Sequence, residues 1–190
     1  MKEILKLGAL LMVVCAVAAA ALAGIYSVTK PKIDLQKQLE LQQALSAAIP
    51  GAAPDAVFPV EKDGKILYYE GYRAADKREL VGYALIGQWP GYSSDVKTLV
   101  GIDTSGTIIG IKVLEQKETP GLGTRIEEIK YGETDAWFQR QFLGKAAETV
   151  AVDKDGGEIQ SITGATITSR AVTKSIVSAF NELKKAKAAE

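Results

Sequence analysis

The stretch that decides the fold class is Val96-Lys97-Thr98-Leu99-Val100-Gly101-Ile102-Asp103-Thr104-Ser105-Gly106-Thr107-Ile108-Ile109-Gly110-Ile111-Lys112-Val113-Leu114. Two runs rich in β-branched residues, 96–102 and 107–114, flank the polar connection Asp103-Thr104-Ser105-Gly106. Glycine stands there where a positive φ is easiest, which is the signature of a hairpin. Apolar residues such as Leu99, Ile109 and Val113 alternate with polar ones, so the pair predicts a sheet with one buried face. Upstream, 66–69 and 80–86 read as two more strands. Downstream, 150–152 reads as a short strand and Asp155-Gly156-Gly157 as a turn.

Helices are expected on either side of the sheet. In 33–49, Leu35, Leu39, Leu41 and Leu45 recur near helical spacing, and Pro50-Gly51 stops the run. Two short helical segments are expected at 125–129 and 136–142. The clearest helix is the last: Val172, Ile176, Phe180 and Leu183 fall three or four apart, and Lys184, Lys185 and Lys187 crowd its C-terminal end, where cations suit the macrodipole.

Residues 7–29 carry no charge and are bracketed by Lys6 and by Lys30 and Lys32. At ~1.5 Å rise per residue such a run crosses a hydrocarbon layer ~30 Å thick. Tyr26 suits an interfacial position near one end. A cleaved signal peptide is the competing reading, because Ala21-Leu22-Ala23 before Gly24 resembles a cleavage site and Lys2 and Lys6 form a basic start. The apolar run continues past that site through Ile25 and Val28, which favours a retained anchor. Lysines on both sides leave orientation open. Cys15 follows Val14, too large for a lipoprotein box, and reads as a small apolar residue of the span. Lys30-Pro31-Lys32 reads as a hinge, since proline cannot continue a helix interior. The expected architecture is α+β: one N-terminal transmembrane helix, then a single mixed domain with an antiparallel sheet and flanking helices. The boundaries are 1–32 for the anchor with its flanks and 33–190 for the domain.

The chain has 190 residues, with 23 basic and 23 acidic side chains, no histidine and one cysteine. Balanced charge gives no electrostatic footprint for nucleic acid. Absence of histidine removes Ser-His-Asp and Cys-His catalysis, His-ligated haem and nearly all zinc sites. A single thiol removes Cys-ligated iron–sulfur clusters and any intramolecular disulfide. Redox chemistry, if present, therefore needs an organic cofactor.

Ser161-Ile162-Thr163-Gly164-Ala165-Thr166-Ile167-Thr168-Ser169 runs straight into the last helix. A hydroxyl there can cap the helix, and Thr168 or Ser169 would serve. Capping does not explain the crowding of small residues, which let another object approach the backbone. Free N–H groups at a helix start favour an anion, so phosphate is a natural guest. GxxxxGK[ST] is absent, which argues against a nucleoside triphosphatase. Upstream, Glu118-Thr119-Pro120-Gly121-Leu122-Gly123 is irregular, because Pro120 and two glycines interrupt it.

Thr163-Gly164-Ala165-Thr166-Ile167-Thr168 resembles the [ST]GATx[ST] flavinylation motif of the FMN-binding domain family. Glu118–Gly123 resembles the ETPGLG loop that packs against the flavin ring in that family. The resemblance covers the whole chain. It is strongest to the branch found in Rnf-type electron transport complexes, with the branch found in sodium-translocating NADH:quinone reductases next. It implies that a flavin transferase joins FMN by a phosphoester to Thr166. Around the cofactor it implies Glu118, Thr119, Gly121, Leu122, Gly123, Thr163, Gly164, Ala165 and Thr168, with no metal. Two positions depart from the family pattern: Gln160 stands where the motif usually has aspartate, with Asp153 and Asp155 further back, and Gln116 stands where histidine is frequent.

Given that site, Gly121 and Gly123 would let the loop lie flat near the ring, Leu122 would offer an apolar face and Thr119 a hydrogen bond. Glu118 reads either as a solvated charge beside a turn or as a carboxylate that disfavours an anionic reduced flavin and lowers its potential. Thr163 and Thr168 would bind phosphate oxygens or cap the helix. Arg125 and Arg170 are candidate phosphate partners, although surface arginine is the commoner role. Trp89, Tyr92 and Trp137 read as core rather than flavin-stacking residues.

The implied function is an electron-transfer subunit of an ion-translocating redox complex in the bacterial inner (cytoplasmic) membrane. Other membrane and peripheral subunits would be its partners, and the domain would lie on the periplasmic side. The alternatives are a stand-alone anchored flavoprotein reductase and a non-redox scaffold of the same fold. A reductase would need its own electron entry site, and Gly121-x-Gly123 does not extend to a nicotinamide fingerprint. A scaffold would have no reason to keep both motifs.

Overall fold

The computed structural model describes residues 1–62 and 64–188. They divide into two compact units, one of residues 1–41 and one that begins at Gln42.

Apart from Met1, the first unit lies within α1 (Lys2–Ala48). An 18-residue window of this helix has a mean hydropathy of 2.5. Its large apolar side chains, from Ile4 to Val28, are exposed, so it is not the core helix of a soluble fold. The hinge expected at Lys30-Pro31-Lys32 is absent, because α1 runs through Pro31. Proline removes one donor, the partner of the Ser27 carbonyl, but the flanking turns hold. The Thr29 hydroxyl donates to the Ile25 carbonyl at 2.9 Å, Lys30 pairs with Asp34 at 2.6 Å, and Gln36 donates to Glu40 at 3.1 Å.

In the second unit, residues 42–48 complete α1, and Gly51, at φ +104°, helps turn the chain away. A five-stranded antiparallel meander follows in the order β1-β2-β3-β4-β5. The strands are β1 (Val57–Lys62), β2 (Lys65–Tyr72), β3 (Leu80–Pro90), β4 (Asp95–Asp103) and β5 (Ile108–Glu115). The hairpin read from Asp103-Thr104-Ser105-Gly106 joins β4 to β5. The Asp103 carboxylate accepts from the N–H groups of Ser105 and Thr107 at 2.8 and 2.9 Å, and Gly106 has φ +88°. A 3-10 turn spans Gly123–Glu127, α2 spans Trp137–Arg140, and α3 spans Thr166–Ala188.

The central sheet is buried on both faces, not one. The α3 side holds Leu85, Val100, Ile102, Phe138, Val172 and Ile176 in one cluster. A Cβ on Gly87 would lie 2.0 Å from the Ser175 carbonyl oxygen, so β3 and α3 meet backbone to backbone. The end of α1 covers the other face. Cβ atoms on Gly101 and Gly110 would lie 1.7 and 2.4 Å from the Ala48 carbonyl oxygen. Glycines in the strands, which sequence patterning reads as gaps, are where helices land. The strand expected at 150–152 is a single bridge between Val152 and Ile159. β1 has no counterpart among the strands expected from the sequence.

Candidate functional site

β3 continues to Pro90, four residues beyond its expected end at Ile86, and Pro90 pairs with Asp95 across a tight loop. That loop turns its N–H groups inward. Tyr92, Ser93 and Ser94 donate to the Glu118 carboxylate at 3.1, 3.0 and 3.0 Å. The Thr168 hydroxyl donates to the same carboxylate at 2.6 Å. Glu118 is 5% exposed and Thr168 1%, so the solvated-charge reading of Glu118 does not hold. Burial pushes the Glu118 carboxyl up. The Thr168 hydroxyl and the N–H groups of Ser93, Ser94 and Tyr92 outweigh burial and hold it below the usual glutamate range.

Gln116 sets the entry to this loop. Its carboxamide oxygen accepts the Glu118 N–H at 2.8 Å, and its nitrogen donates to Glu127 at 2.7 Å. Gly123 is buried and passes directly over Glu118 and Thr168. Gly121 is exposed at φ +75°, with open space where a side chain would stand. Thr119 is exposed, and its hydroxyl lies 3.4 Å from that of Ser93. Leu122 leans towards the second motif: a Cβ on Gly164, at φ +80°, would lie 3.3 Å from Leu122 Cδ2. Two segments distant in sequence therefore meet at both ends, Glu118 with Thr168 and Leu122 with Gly164.

Thr166 is the first residue of α3 and is half-buried. The first intrahelical bond runs from Ser169 N–H to the Ala165 carbonyl at 3.0 Å, so Ala165 holds the capping position without a side-chain acceptor. Among the described residues, the N–H groups of Thr166, Ile167 and Thr168 have no partner, and neither has the Thr166 hydroxyl. Thr168 and Ser169, the caps expected from the sequence, both lie inside the helix. The Ser169 hydroxyl donates to the Ala165 carbonyl at 3.0 Å and accepts the Ile162 N–H at 3.1 Å, closing the approach loop onto the helix. Thr163 and Gly164 are exposed, and Ala165 is buried. Of the motif's threonine hydroxyls, Thr168 is committed inside the fold, while Thr163 and Thr166 are not.

The approach loop is braced from outside. The Asp153 carboxylate accepts the Ser161 N–H at 3.1 Å, and the Ser161 side chain and backbone hold it below the usual aspartate range. Gln141 bonds the backbone of Gln160 on both sides, at 2.8 and 3.3 Å. Asp155 takes Arg170 through two nitrogens, with contacts of 2.7 Å from each, and Arg125 donates to Glu128 at 3.1 Å. Both candidate phosphate arginines are thus occupied by carboxylates. Trp89 and Tyr92, read from the sequence as core, are 37% and 72% exposed, because the last three residues of β3 and the loop beyond them are uncovered. Trp137 is half-buried and donates its indole N–H to Glu128 at 3.0 Å. Reasoning from sequence misses the roles of Gln116, Gln141 and the 91–94 loop. A glycine before two serines between strand ends signals an N–H-rich turn, but nothing in it names the acceptor.

Free N–H groups beside an uncommitted hydroxyl, with a glycine at positive φ leading in, fit a phosphate ester at Thr166. No group of three or more metal-ligating side chains occurs among the described residues.

The sequence profile of the FMN-binding domain family matches residues 91–181, and that of the RnfG N-terminal region matches residues 1–47. The G subunit of the ion-translocating oxidoreductase complex of Methanosarcina acetivorans is 34% identical over 186 residues, covering 95% of this chain and 94% of its own. The G subunit of the Na(+)-translocating ferredoxin:NAD(+) oxidoreductase complex of Acetobacterium woodii is 36% identical over 192 residues, covering 92% and 89%. Among solved structures, NqrC of Shewanella oneidensis matches with a TM-score of 0.45 at 22% identity, covering 75% of this chain and 74% of that one.

Proposed function

Because the chain belongs to the RnfG family of ion-translocating oxidoreductase complexes, we propose that it relays electrons within such a complex through FMN joined by a phosphoester to Thr166. The other subunits of the complex are its partners, and α1 holds it in the membrane with the domain on the extracytoplasmic side. A flavin transferase is its maturation partner.

One observation carries the reading of the site. The Thr166 hydroxyl is uncommitted, and it stands on the same helical turn as three N–H groups without partners among the described residues. In the transfer, Thr166 Oγ1 would bond to the phosphorus of a flavin donor of the dinucleotide class as the donor's pyrophosphate P–O bond breaks; the nucleoside monophosphate leaves and the hydroxyl proton goes to a base. No base among the described residues is hydrogen-bonded to that hydroxyl, so the transferase supplies one. The N–H groups of Thr166, Ile167 and Thr168 then face an anion that they and the helix dipole favour. Such a tether would keep the cofactor at high effective concentration, so weak contacts from Leu122 and the Gly121 backbone would suffice to hold the ring. When bound, the isoalloxazine supplies the electron chemistry. The chain supplies the position.

The full chain co-produced with a flavin transferase should fluoresce as a band on a denaturing gel. Thr166→Ala should remove the band, and Thr168→Ala should keep part of it. A full-strength band in T166A overturns the assignment.

A further inference from the structure

Glu118 draws together three stretches of chain. Its oxygens take three backbone N–H groups of the 91–94 loop and the Thr168 hydroxyl of α3. A carboxylate has about four good acceptor sites, so these donors fill it and leave none for a ligand. Glycines close on it from two sides. A Cβ on Gly91 would lie 2.7 Å from Oε1, and one on Gly123 would lie 2.9 Å from Oε2. Thr168 is two residues after Thr166 on the first turn of α3, about 3 Å along the axis at ~1.5 Å per residue. That turn has no side-chain cap; the Ser169 hydroxyl ties it to its own approach loop, and the bond from Thr168 to Glu118 ties it to the loops that follow β3 and β5.

We propose that Glu118 is a positioning residue for cofactor attachment: through Thr168 it fixes the first turn of α3, and so holds the Thr166 hydroxyl in one pose for the transferase. The proposal rests on the reading of Thr166 as the acceptor. It gives Glu118 a role different from the one expected of it, since the carboxylate acts through the backbone and not on the ring. Ser93 and Ser94 donate to one oxygen and Tyr92 and Thr168 to the other, so an amide in place of the carboxylate loses its charge and turns its NH2 towards one of those two pairs of donors.

The test uses the full chain in detergent with purified flavin transferase and its flavin donor, reading initial labelling rates by gel fluorescence. Glu118→Gln and Thr168→Val should each lower the rate at saturating transferase roughly tenfold, because a small misplacement of a reacting atom is costly. The half-saturating concentration should not move, and near-UV circular dichroism should stay native. The double variant should be no slower than the slower single variant, because both act through one bond. Wild-type saturated rates in both variants overturn the proposal, as do additive losses or a loss confined to half-saturation. If E118Q does not fold, T168V keeps the carboxylate with its three backbone donors and decides alone: a wild-type saturated rate in it overturns the proposal. Labelling of T166A overturns the acceptor reading itself, an outcome distinct from these.

Discussion

Gly121 and Gly123 look alike in the sequence, and the structure gives them opposite reasons for being glycine. A Cβ on Gly123 would lie 2.5 Å from Glu118 Cβ and 2.8 Å from Thr168 Oγ1, whereas Gly121 has open space but φ +75°. Gly123→Ala should therefore overpack a buried junction and cost about 1–3 kcal/mol. Gly121→Ala should cost only the left-handed penalty, about 1 kcal/mol. Urea unfolding of the two variants checks the order, and an equal or reversed cost contradicts the junction described here. The same junction marks where sequence reading stops at this scale. Glu118 and Thr168 are both legible as site residues from their motifs. That they bond to each other is not, because their meeting depends on a fold that joins positions 50 residues apart.

At the scale of elements, the close approach of α1 to the sheet is the sharpest constraint. The Ala48 carbonyl would stand 1.7 Å from a Cβ on Gly101, and a backbone atom cannot swing aside as a side chain can. Gly101→Val should lift residues 42–48 off β4 and lower stability by on the order of 3 kcal/mol, read as a fall in the urea midpoint. Four strands are legible because β-branched runs and turn residues alternate along 66–114. β1 is not: Pro59 and the charged Glu61 and Lys62 hide its pattern, and it is an edge strand with no fully buried residue. The helix through Pro31 is hidden for the converse reason. Proline forbids one hydrogen bond and reads as a break, whereas the i,i+4 pairs beside it, each adding only about 0.2–0.5 kcal/mol to the helix, are a weaker signal. The two-sided burial of β3 and β4 escapes the sequence pattern because Gly82, Gly87 and Gly101 carry no side chain to count as apolar.

At the scale of the whole molecule, hydrogen-bonded carboxylates set how the fold responds to acid. The carboxyls of Glu118, Asp103 and Asp153 are all held below their ordinary ranges by hydrogen bonds that outweigh burial. A depressed folded pKa gives stability that is present above the unfolded pKa and lost as pH falls through the folded one. Stability should thus be level from neutral pH down to about pH 5 and fall below about pH 4. The fall should be shallower in E118Q, and identical acid limbs would remove Glu118 from the account. If α1 is a retained anchor, membrane-bound protein should keep its sequence from the start of the chain, and N-terminal sequencing that begins at Gly24 would contradict this. The central claim is the bond at Thr166, and mass spectrometry reads it directly. Trypsin should release residues 155–170, a peptide that contains Ser161, Thr163, Thr166, Thr168 and Ser169. From protein made with a flavin transferase, that peptide should carry the mass of FMN less one water, with fragment ions assigning it to Thr166. The modification on any of the other four hydroxyls, or an unmodified peptide from fully labelled protein, would contradict the account.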